Sequence, residues 1–274
     1  MKIFCALDNG LEWRINKYIS SMSIETGIDD NMKIYCAEMT QMGLLFEKNK
    51  SISKFNILIS FFKTKDIKKF IPFTRELLID SGAFSLFNQK KKEKSYDKYF
   101  KDYKKFVSHN YNNNLIKGFF ELDIDKLIGY DIVQDYRKEL FEITDKIIPV
   151  WHKELGIEEY KKLCYDYNYI SFGCVNDKDI PNKNYLPFVK YAHKYNCKIH
   201  GLGMLRPKIL NKVPFDSVDG TSWFTSCNFG RINGKKINSD YIKEHQYELT
   251  HIQLMKHIKM QEEFYNKWKW YHND

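Results

Sequence analysis

The sequence predicts a single α/β domain folded as a (β/α)8 TIM-type barrel with one long helix at its carboxyl end. Three observations lead to this fold class. Short apolar runs alternate with amphipathic helical patterns along the chain. The runs are mostly continuous, which is typical of parallel strands covered on both faces. Eight such runs are present, and eight strands close a barrel of this type.

The predicted strands follow one another along most of the chain. They are placed at 2–8, 56–62, 76–82, 118–123, 147–152, 169–173, 198–203 and 216–222. The segment 11–55 fits the plan least well, and its stretch MKIYCAEM at 32–39 reads as a candidate extra strand. No linker rich in Pro and Gly interrupts the pattern, so residues 1–274 are predicted as one domain.

The predicted helices lie between the strands and at the end of the chain. Apolar and aromatic residues recur every three or four positions at 95–107, 156–167 and 185–195, which predicts helices with one face on the core. From about 240 to 271 the pattern indicates one long helix, with Leu249 and Met255 on its apolar side. We expect this helix to pack on the outside of the barrel.

The composition narrows the classes of function. Lys and Arg outnumber Asp and Glu by 44 to 35, a formal charge of +9 that favours polyanions such as nucleic acid, although a lysine-rich solvated surface gives the same count. No stretch reaches the ~18 apolar residues of a membrane span, and the start of the chain lacks a signal-peptide pattern. The six cysteines stand singly, which predicts neither a zinc site nor disulfides. We expect a reduced, cytoplasmic protein.

Polar residues cluster where the predicted strands end. In a barrel of this type the chemistry takes place at the carboxyl ends of the strands. These ends carry Asp80, Asp123, Asp125, His152, Gly173, His200, Gly203 and Asp219. Buried charges are costly unless they are paired, bound to a ligand or used in chemistry. Two chemistries suit them, a metal site made of Asp and His, or substitution at a sugar anomeric carbon by paired carboxylates. The residues alone leave both open.

Six strand-end motifs together resemble a known family. They are DSGAFS (80–85), ELDID (121–125), PVWH (149–152), SFGCV (171–175), HGLGM (200–204) and FDSVDGTSW (215–223). Their order and spacing are similar to those of tRNA-guanine transglycosylases, over about residues 56–230. The closer resemblance is to the DpdA-type enzymes of bacteriophages and bacteria, which place 7-deazaguanines in DNA. The fold of that family is a (β/α)8 barrel.

The resemblance implies a reaction and a role for each matching residue. Asp219 matches the nucleophilic aspartate and Asp80 the general acid/base, so guanine in DNA would be exchanged for a free 7-deazaguanine base through a covalent glycosyl-aspartate. No metal and no cofactor is required. The substrate-binding positions implied are Ser81, Gly82, Asp123, Asp125, His152, Gly173, Cys174, His200 and Gly203. His152 falls where the tRNA enzymes have a base-reading Gln, so base recognition differs in detail.

The departures from the family concern the nucleic acid. The zinc-binding module of the tRNA enzymes is absent, since only Cys227 follows the last predicted strand. This favours DNA over tRNA as the partner and leaves a homodimer open. Phosphate contacts are expected from basic residues after the third and seventh strands, namely Lys90, Lys91, Lys92, Lys94, Arg206 and Lys208. If the chain is phage-encoded, its location is the cytoplasm of the bacterial host.

Three alternatives remain on the sequence. A metal-dependent barrel hydrolase would use the same carboxylates with His152 and His200. A glycosidase would release guanine without inserting another base. A nucleic-acid-binding module without catalysis would leave the polar strand ends without a purpose, which disfavours it.

Overall fold

The computed structural model describes residues 32–37, 54–88, 96–173, 180–181, 184–223, 231–232, 235–236 and 238–271. In these residues the chain forms an α/β architecture, in which parallel strands make a nearly closed barrel and a carboxyl-terminal helix packs on its outside. This confirms the predicted fold class at the level of a parallel barrel with a helix at its end.

Nine strands form the barrel, and every described pairing between them is parallel. They are β1 Lys33–Cys36, β2 Phe55–Ser60, β3 Thr74–Asp80, β4 Ile116–Phe120, β5 Ile147–Ile148, β6 Val150–Trp151, β7 Tyr169–Phe172, β8 Lys198–Gly201 and β9 Ser217–Gly220. Their order is β5-β4-β3-β2-β1-β9-β8-β7-β6. The two ends of this order, β5 and β6, flank Pro149, so the sheet almost closes on itself.

Six predicted strands are confirmed as single strands, and the predicted strand 147–152 is divided in two at Pro149. Proline has no backbone N–H to donate to a strand ladder, which explains the division. The segment still bonds on both sides. The Ile148 carbonyl accepts from the Glu121 N–H at 3.1 Å, and the Pro149 carbonyl accepts from the Ser171 N–H at 2.8 Å.

The place between β2 and β9 is taken by β1, which the sequence indicated only as a candidate extra strand. Tyr35 faces the barrel interior, while Ile34 and Cys36 face the surrounding helices, so both faces of this short strand are buried. The predicted strand at 2–8 lies outside the described residues.

Helices surround the barrel. They are α1 Ile67–Phe70, α2 Ala83–Asn88, α3 Tyr96–Asn110, α4 Asp125–Ile128, α5 Tyr130–Phe141, α6 Gly156–Asp166, α7 Tyr185–Lys194, α8 Pro207–Leu210, α9 Ser239–Glu244 and α10 Gln246–Trp268. The helices predicted at 95–107, 156–167 and 185–195 are confirmed as α3, α6 and α7. The single helix predicted over 240–271 is wrong in one respect, because His245 leaves the helical conformation (φ −112°) and separates α9 from α10.

Three buried clusters hold these elements together. One joins α3 and α5 to β2, β3 and β4, with the rings of Phe100 and Tyr136 stacked at 3.7 Å. A second joins α6, α7 and α10 to β7, β8 and β9. The third fills the barrel interior and includes Tyr35, Leu58, Leu78, Phe120, Ile148 and Val150. Because the interior is packed with side chains, a substrate must bind at an end of the barrel.

The helix α10 is attached to the barrel by hydrogen bonds as well as by apolar packing. Gln261 Oε1 accepts from the Ile34 N–H at 3.0 Å and from Asn56 Nδ2 at 3.1 Å, at the junction of β1 and β2. Near the end of the helix, Trp268 Nε1 donates to the Leu210 carbonyl at 2.9 Å. The expectation that this helix packs on the barrel exterior is confirmed.

A buried ion pair fixes α5 against the end of β4. Arg137 Nε lies 2.6 Å from Glu121 Oε2, Arg137 Nη2 lies 3.1 Å from Oε1, and the two side chains are 4% and 1% exposed. Glu121 Oε1 also accepts from the Val150 N–H at 2.6 Å. Glu121, the first carboxylate of the ELDID motif, therefore has a structural role. Asp123 and Asp125 lie at the mouth of the barrel.

Arg137→Met is expected to lower the free energy of unfolding by about 3–5 kcal/mol, because it leaves the Glu121 carboxylate buried without a counter-ion. Urea unfolding followed by circular dichroism measures the loss. Lys104→Met is the matched control, since Lys104 pairs with Glu139 at 2.7 Å on the surface. The control should cost no more than about 1 kcal/mol. Equal small losses in the two variants would contradict the prediction.

Candidate active site

The carboxyl ends of the strands bring the predicted polar residues to one mouth of the barrel. Asp80 ends β3, Asp123 follows β4, His152 follows β6 and Asp219 lies within β9. The pKa of Asp80 is raised by the charges of Asp123 and Asp219, so the three carboxylates lie within electrostatic reach of one another. Side chains from well-separated parts of the sequence therefore meet at this end.

The carboxyl group of Asp80 has a raised pKa. Burial, then the negative charges of Asp123 and Asp219, raise its pKa from 3.8 to about 7, against a lowering effect of Ser60 and of the Gly82 N–H. That N–H donates to Asp80 Oδ2 at 3.1 Å. A carboxyl group with a pKa close to the working pH can both donate and accept a proton in a reaction. Asp80 is therefore suited to general acid/base catalysis.

The Asp-Ser-Gly turn after β3 is shaped by its surroundings. Gly82 has φ +87°, and a Cβ there would lie 2.6 Å from a ring carbon of Phe62 and 2.6 Å from the Tyr99 hydroxyl oxygen. Only glycine fits such a position without strain. Ser81 is buried, and its carbonyl accepts from the Tyr99 hydroxyl at 2.6 Å. The tripeptide thus aims the Asp80 carboxyl at the mouth, and α2 begins directly after it.

This pKa gives a prediction for stability. Unfolded Asp80 loses its proton near pH 4 and folded Asp80 near pH 7, so unfolding releases a proton between these values and the folded state loses stability as the pH rises through them. Asp80→Asn has no proton to lose. Its stability relative to the unchanged protein should therefore grow from about pH 4 to about pH 7 and stay level above.

Urea unfolding at about pH 4.5 and about pH 8 tests this prediction. Asp102→Asn, at an exposed position of α3, is the matched control and should show no such growth. A stability difference for Asp80→Asn that stays constant or shrinks with pH would show that Asp80 does not hold its proton in the folded protein.

His152 lies between two carboxylates. Its Nε2 is 3.1 Å from Asp123 Oδ2 and 3.8 Å from Asp125 Oδ1. Burial lowers the pKa of His152, but the hydrogen bond with Asp123 and the charges of Asp123 and Asp125 outweigh it, so its pKa is raised. Burial also raises the pKa of Asp125. This group offers carboxylate hydrogen-bond acceptors to a flat polar ligand.

Gly173 makes room for the ring of His152. A Cβ at Gly173 would lie 2.3 Å from His152 Nδ1 and 2.3 Å from its Cε1. The resemblance implied Gly173 as a substrate-binding position, and in the structure the ring of His152 covers the side of Gly173 on which a Cβ would lie. The physical reason is that the ring needs a neighbour without a side chain at the end of β7.

Asp219 is held by two donors on one oxygen. Its Oδ1 accepts from the Gly203 N–H at 2.8 Å and from His200 Nε2 at 3.2 Å. His200 is fully buried, and its Nδ1 lies 2.5 Å from Ser217 Oγ. The resemblance implied His200 as a substrate-binding position, and in the structure its two ring nitrogens contact Ser217 and Asp219.

Two residues of this group were missed by the sequence analysis. Ser217 Oγ lies 2.5 Å from the Tyr169 hydroxyl, on the side away from the mouth. Ser217 stands two residues before Asp219 on the same strand, and residues two apart point to the same face. That spacing could have identified Ser217. Tyr169 begins β7, and nothing in the local sequence distinguishes it from a core tyrosine.

Two of the six basic residues predicted to contact nucleic acid, Arg206 and Lys208, lie within the described residues. Lys90, Lys91, Lys92 and Lys94, like Cys174 of the predicted base-binding set, lie outside the described residues. Arg206 is half-buried and Lys208 exposed, and both follow β8 on the side of the mouth. A further basic segment follows β2 on the same side, with Lys63 partly buried and Lys65, Lys68 and Lys69 exposed. The spacing KTKDIKK was the available signal for it.

Comparison of the chain with protein-family models and with curated proteins finds no match. Among the described residues, no three or more His, Cys, Asp or Glu side chains are grouped as a metal site would require. None of the described helices has the length and apolar character needed to cross a membrane.

Proposed function

We propose that the protein is a base-exchanging transglycosylase of the tRNA-guanine transglycosylase-like superfamily, in the branch that acts on DNA, and that it replaces guanine by a 7-deazaguanine. The observation that carries this proposal is the pairing of two different carboxyl groups at one mouth. Asp80 keeps its proton to about pH 7, whereas Asp219 is an acceptor for two hydrogen bonds. An acid/base and a nucleophile in one site are what exchange at an anomeric carbon requires.

The fold supports the same proposal. If β5 and β6 are counted as one strand interrupted at Pro149, the nine strands become the eight of a (β/α)8 barrel. The proposed catalytic residues then stand at the carboxyl ends of the strands, where enzymes with this fold place their active sites.

The proposed reaction has two halves that balance. Asp219 attacks C1′ of the nucleotide, the C1′–N9 bond breaks, and its electron pair goes to guanine, which takes the proton of Asp80. The incoming base then gives its N9 proton to Asp80 and attacks C1′, and the Asp219 carboxylate leaves. Each half inverts the configuration at C1′, so the overall reaction retains it. Neither half needs a redox step or a nucleoside triphosphate.

The group around His152 is the proposed base-recognition site. Guanine and 7-deazaguanines present N–H donors on one edge and the O6 acceptor beside them. Asp123 and Asp125 supply acceptors for these donors, and the ring of His152 holds the Asp123 carboxylate in place. The same group would accept both bases, as an exchange reaction requires.

DNA must present the target base outside the duplex, at a cost of roughly a few kcal/mol. The proposed phosphate contacts are the basic residues that follow β2 and β8 on the side of the mouth, including Lys65, Lys68 and Lys208. The formal charge of +9 favours any polyanion, so it supports a nucleic-acid substrate without choosing between DNA and tRNA.

Nucleoside mass spectrometry tests the proposal directly. The protein is incubated with duplex DNA, single-stranded DNA or tRNA and a set of labelled 7-deazaguanine bases, and each polymer is then digested. Incorporation into DNA that persists in EDTA is expected. Guanine release without incorporation would indicate a glycosidase, loss of activity in EDTA a metal-dependent hydrolase, and incorporation into tRNA alone the tRNA branch. Each of these results would overturn the proposal.

A further inference from the structure

A chain of hydrogen-bonded side chains runs along the barrel interior and ends on Asp219. Tyr169 from β7, Ser217 from β9 and His200 from β8 are linked in series, with 2.5 Å between the hydroxyls of Tyr169 and Ser217 and 2.5 Å from Ser217 Oγ to His200 Nδ1. The series ends with 3.2 Å from His200 Nε2 to Asp219 Oδ1. Ser217, His200 and Asp219 are all less than a tenth exposed.

With a neutral imidazole, one direction of hydrogen bonding satisfies every member of this series. An Asp219 carboxylate can only accept, so His200 Nε2 must carry a hydrogen. If the imidazole is neutral, Nδ1 has a lone pair and must accept from the Ser217 hydroxyl. Ser217 Oγ then accepts from Tyr169, which burial keeps as a donor because it raises the pKa of that hydroxyl.

Aromatic rings surround the imidazole of His200. The ring of Tyr35 from β1 lies 6.1 Å away and that of Phe120 from β4 lies 5.0 Å away, both edge to face. The charged group that contacts His200 directly among the described residues is Asp219, on the side where the hydrogen points.

We infer that Tyr169, Ser217 and His200 form a positioning relay that holds Oδ1 of Asp219 and leaves Oδ2 for attack on the sugar. The Gly203 N–H binds the same Oδ1, and in the described part of the chain no donor contacts Oδ2. The new ester bond would therefore form at Oδ2, while His200 orients the carboxylate and transfers no proton. This inference rests on the proposed function and adds to it the residues that orient the nucleophile.

The tautomer of His200 tests the relay without any substrate. Protein labelled with ¹⁵N-histidine is examined by NMR around neutral pH, and His200→Gln assigns the signal among the eight histidines. A neutral ring with its hydrogen on Nε2 is expected. Ser217→Ala should weaken that preference, because Nδ1 loses its donor. Ser222→Ala is the matched control, since Ser222 bonds a different histidine, His257, at 3.0 Å.

Rates of adduct formation with DNA give the second measurement. His200→Gln keeps a donor near the Nε2 position and should stay within about tenfold of the unchanged protein, whereas His200→Phe should be slowed about 10²-fold with DNA affinity unchanged. If His200→Phe does not fold, Ser217→Ala provides the milder case, with an expected loss of about tenfold. Thermal unfolding of each variant separates slow chemistry from instability.

The two measurements separate this inference from the proposed function. An imidazolium, a hydrogen on Nδ1, no effect of Ser217→Ala on the tautomer, or equal slowing in His200→Gln and His200→Phe would each overturn the relay. The expected tautomer in a protein that forms no adduct would support the relay geometry and overturn the proposed function.

Discussion

Asp219→Asn is expected to abolish the covalent protein–DNA adduct and, with it, base exchange. The amide has nearly the shape of the carboxylate and can still accept from the Gly203 N–H and from His200. It carries no negative charge, so it cannot form the ester bond to C1′. Loss of the nucleophile from a covalent mechanism removes about 10⁶-fold in rate. The expected result is therefore a folded protein without measurable exchange.

Denaturing electrophoresis of the protein with DNA and a base analogue measures the adduct. Asp216→Asn is the matched control, because Asp216 lies just before β9 at the amino end and binds His193 at 2.8 Å and the Ile199 N–H at 2.7 Å. That variant should still form the adduct. An adduct that persists in Asp219→Asn would show that another residue, with Asp80 first in line, is the nucleophile.

The strands were predictable because their signal is local. Continuous apolar runs bounded by polar turns located β2, β3, β4, β7, β8 and β9 within a few residues. The division between β5 and β6 also has a local signal, because Pro149 has no backbone N–H to donate to a strand ladder. The choice of Lys33–Cys36 for the place between β2 and β9 could not be read in the same way, since it depends on pairing with Phe55–Ser60 and Ser217–Gly220 and on cover from α10.

The sequence predicted which residues lie at the site better than it predicted which side chains they contact. Asp80, Asp123, His152 and Asp219 stand at strand ends, and parallel strands bring their ends together, so the sequence located them. It gave no structural role to Glu121, because the partner that buries Glu121, Arg137, lies on a helix that had not been predicted. Which side chain fills the space beside a residue is a tertiary property.

Gly173 and His200 also show that the sequence does not determine which groups a residue contacts. Glycine at a strand end suggests close approach of a ligand, and histidine there suggests contact with it. In the structure the ring of His152 takes the space beside Gly173, and His200 points inward to Ser217 and Asp219. Gly173 does leave space beside it and His200 does form polar contacts, but tertiary packing determines that the partners are other side chains of the protein.

Asp80→Asn is expected to slow base exchange without abolishing it. The variant keeps Asp219, but it has no proton to give to departing guanine and no acceptor for the N9 proton of the incoming base. General acid/base catalysis contributes typically ~10²–10⁴-fold, so a loss of this size is expected. An adduct should still form slowly, and it should persist because its discharge also lacks a base.

The pH dependence of the first half-reaction identifies the proton donor. In the proposed reaction guanine departure needs protonated Asp80, and burial with the charges of Asp123 and Asp219 raises the pKa of Asp80 to about 7. The rate of adduct formation should therefore fall as the pH rises above about 7. In Asp80→Asn this fall should disappear, whereas Asp102→Asn should keep it. Rapid-quench measurement of the adduct across this pH range tests this assignment. A fall that remains in Asp80→Asn would show that another group is the acid. His152 would be the next candidate, because its raised pKa also favours the protonated form.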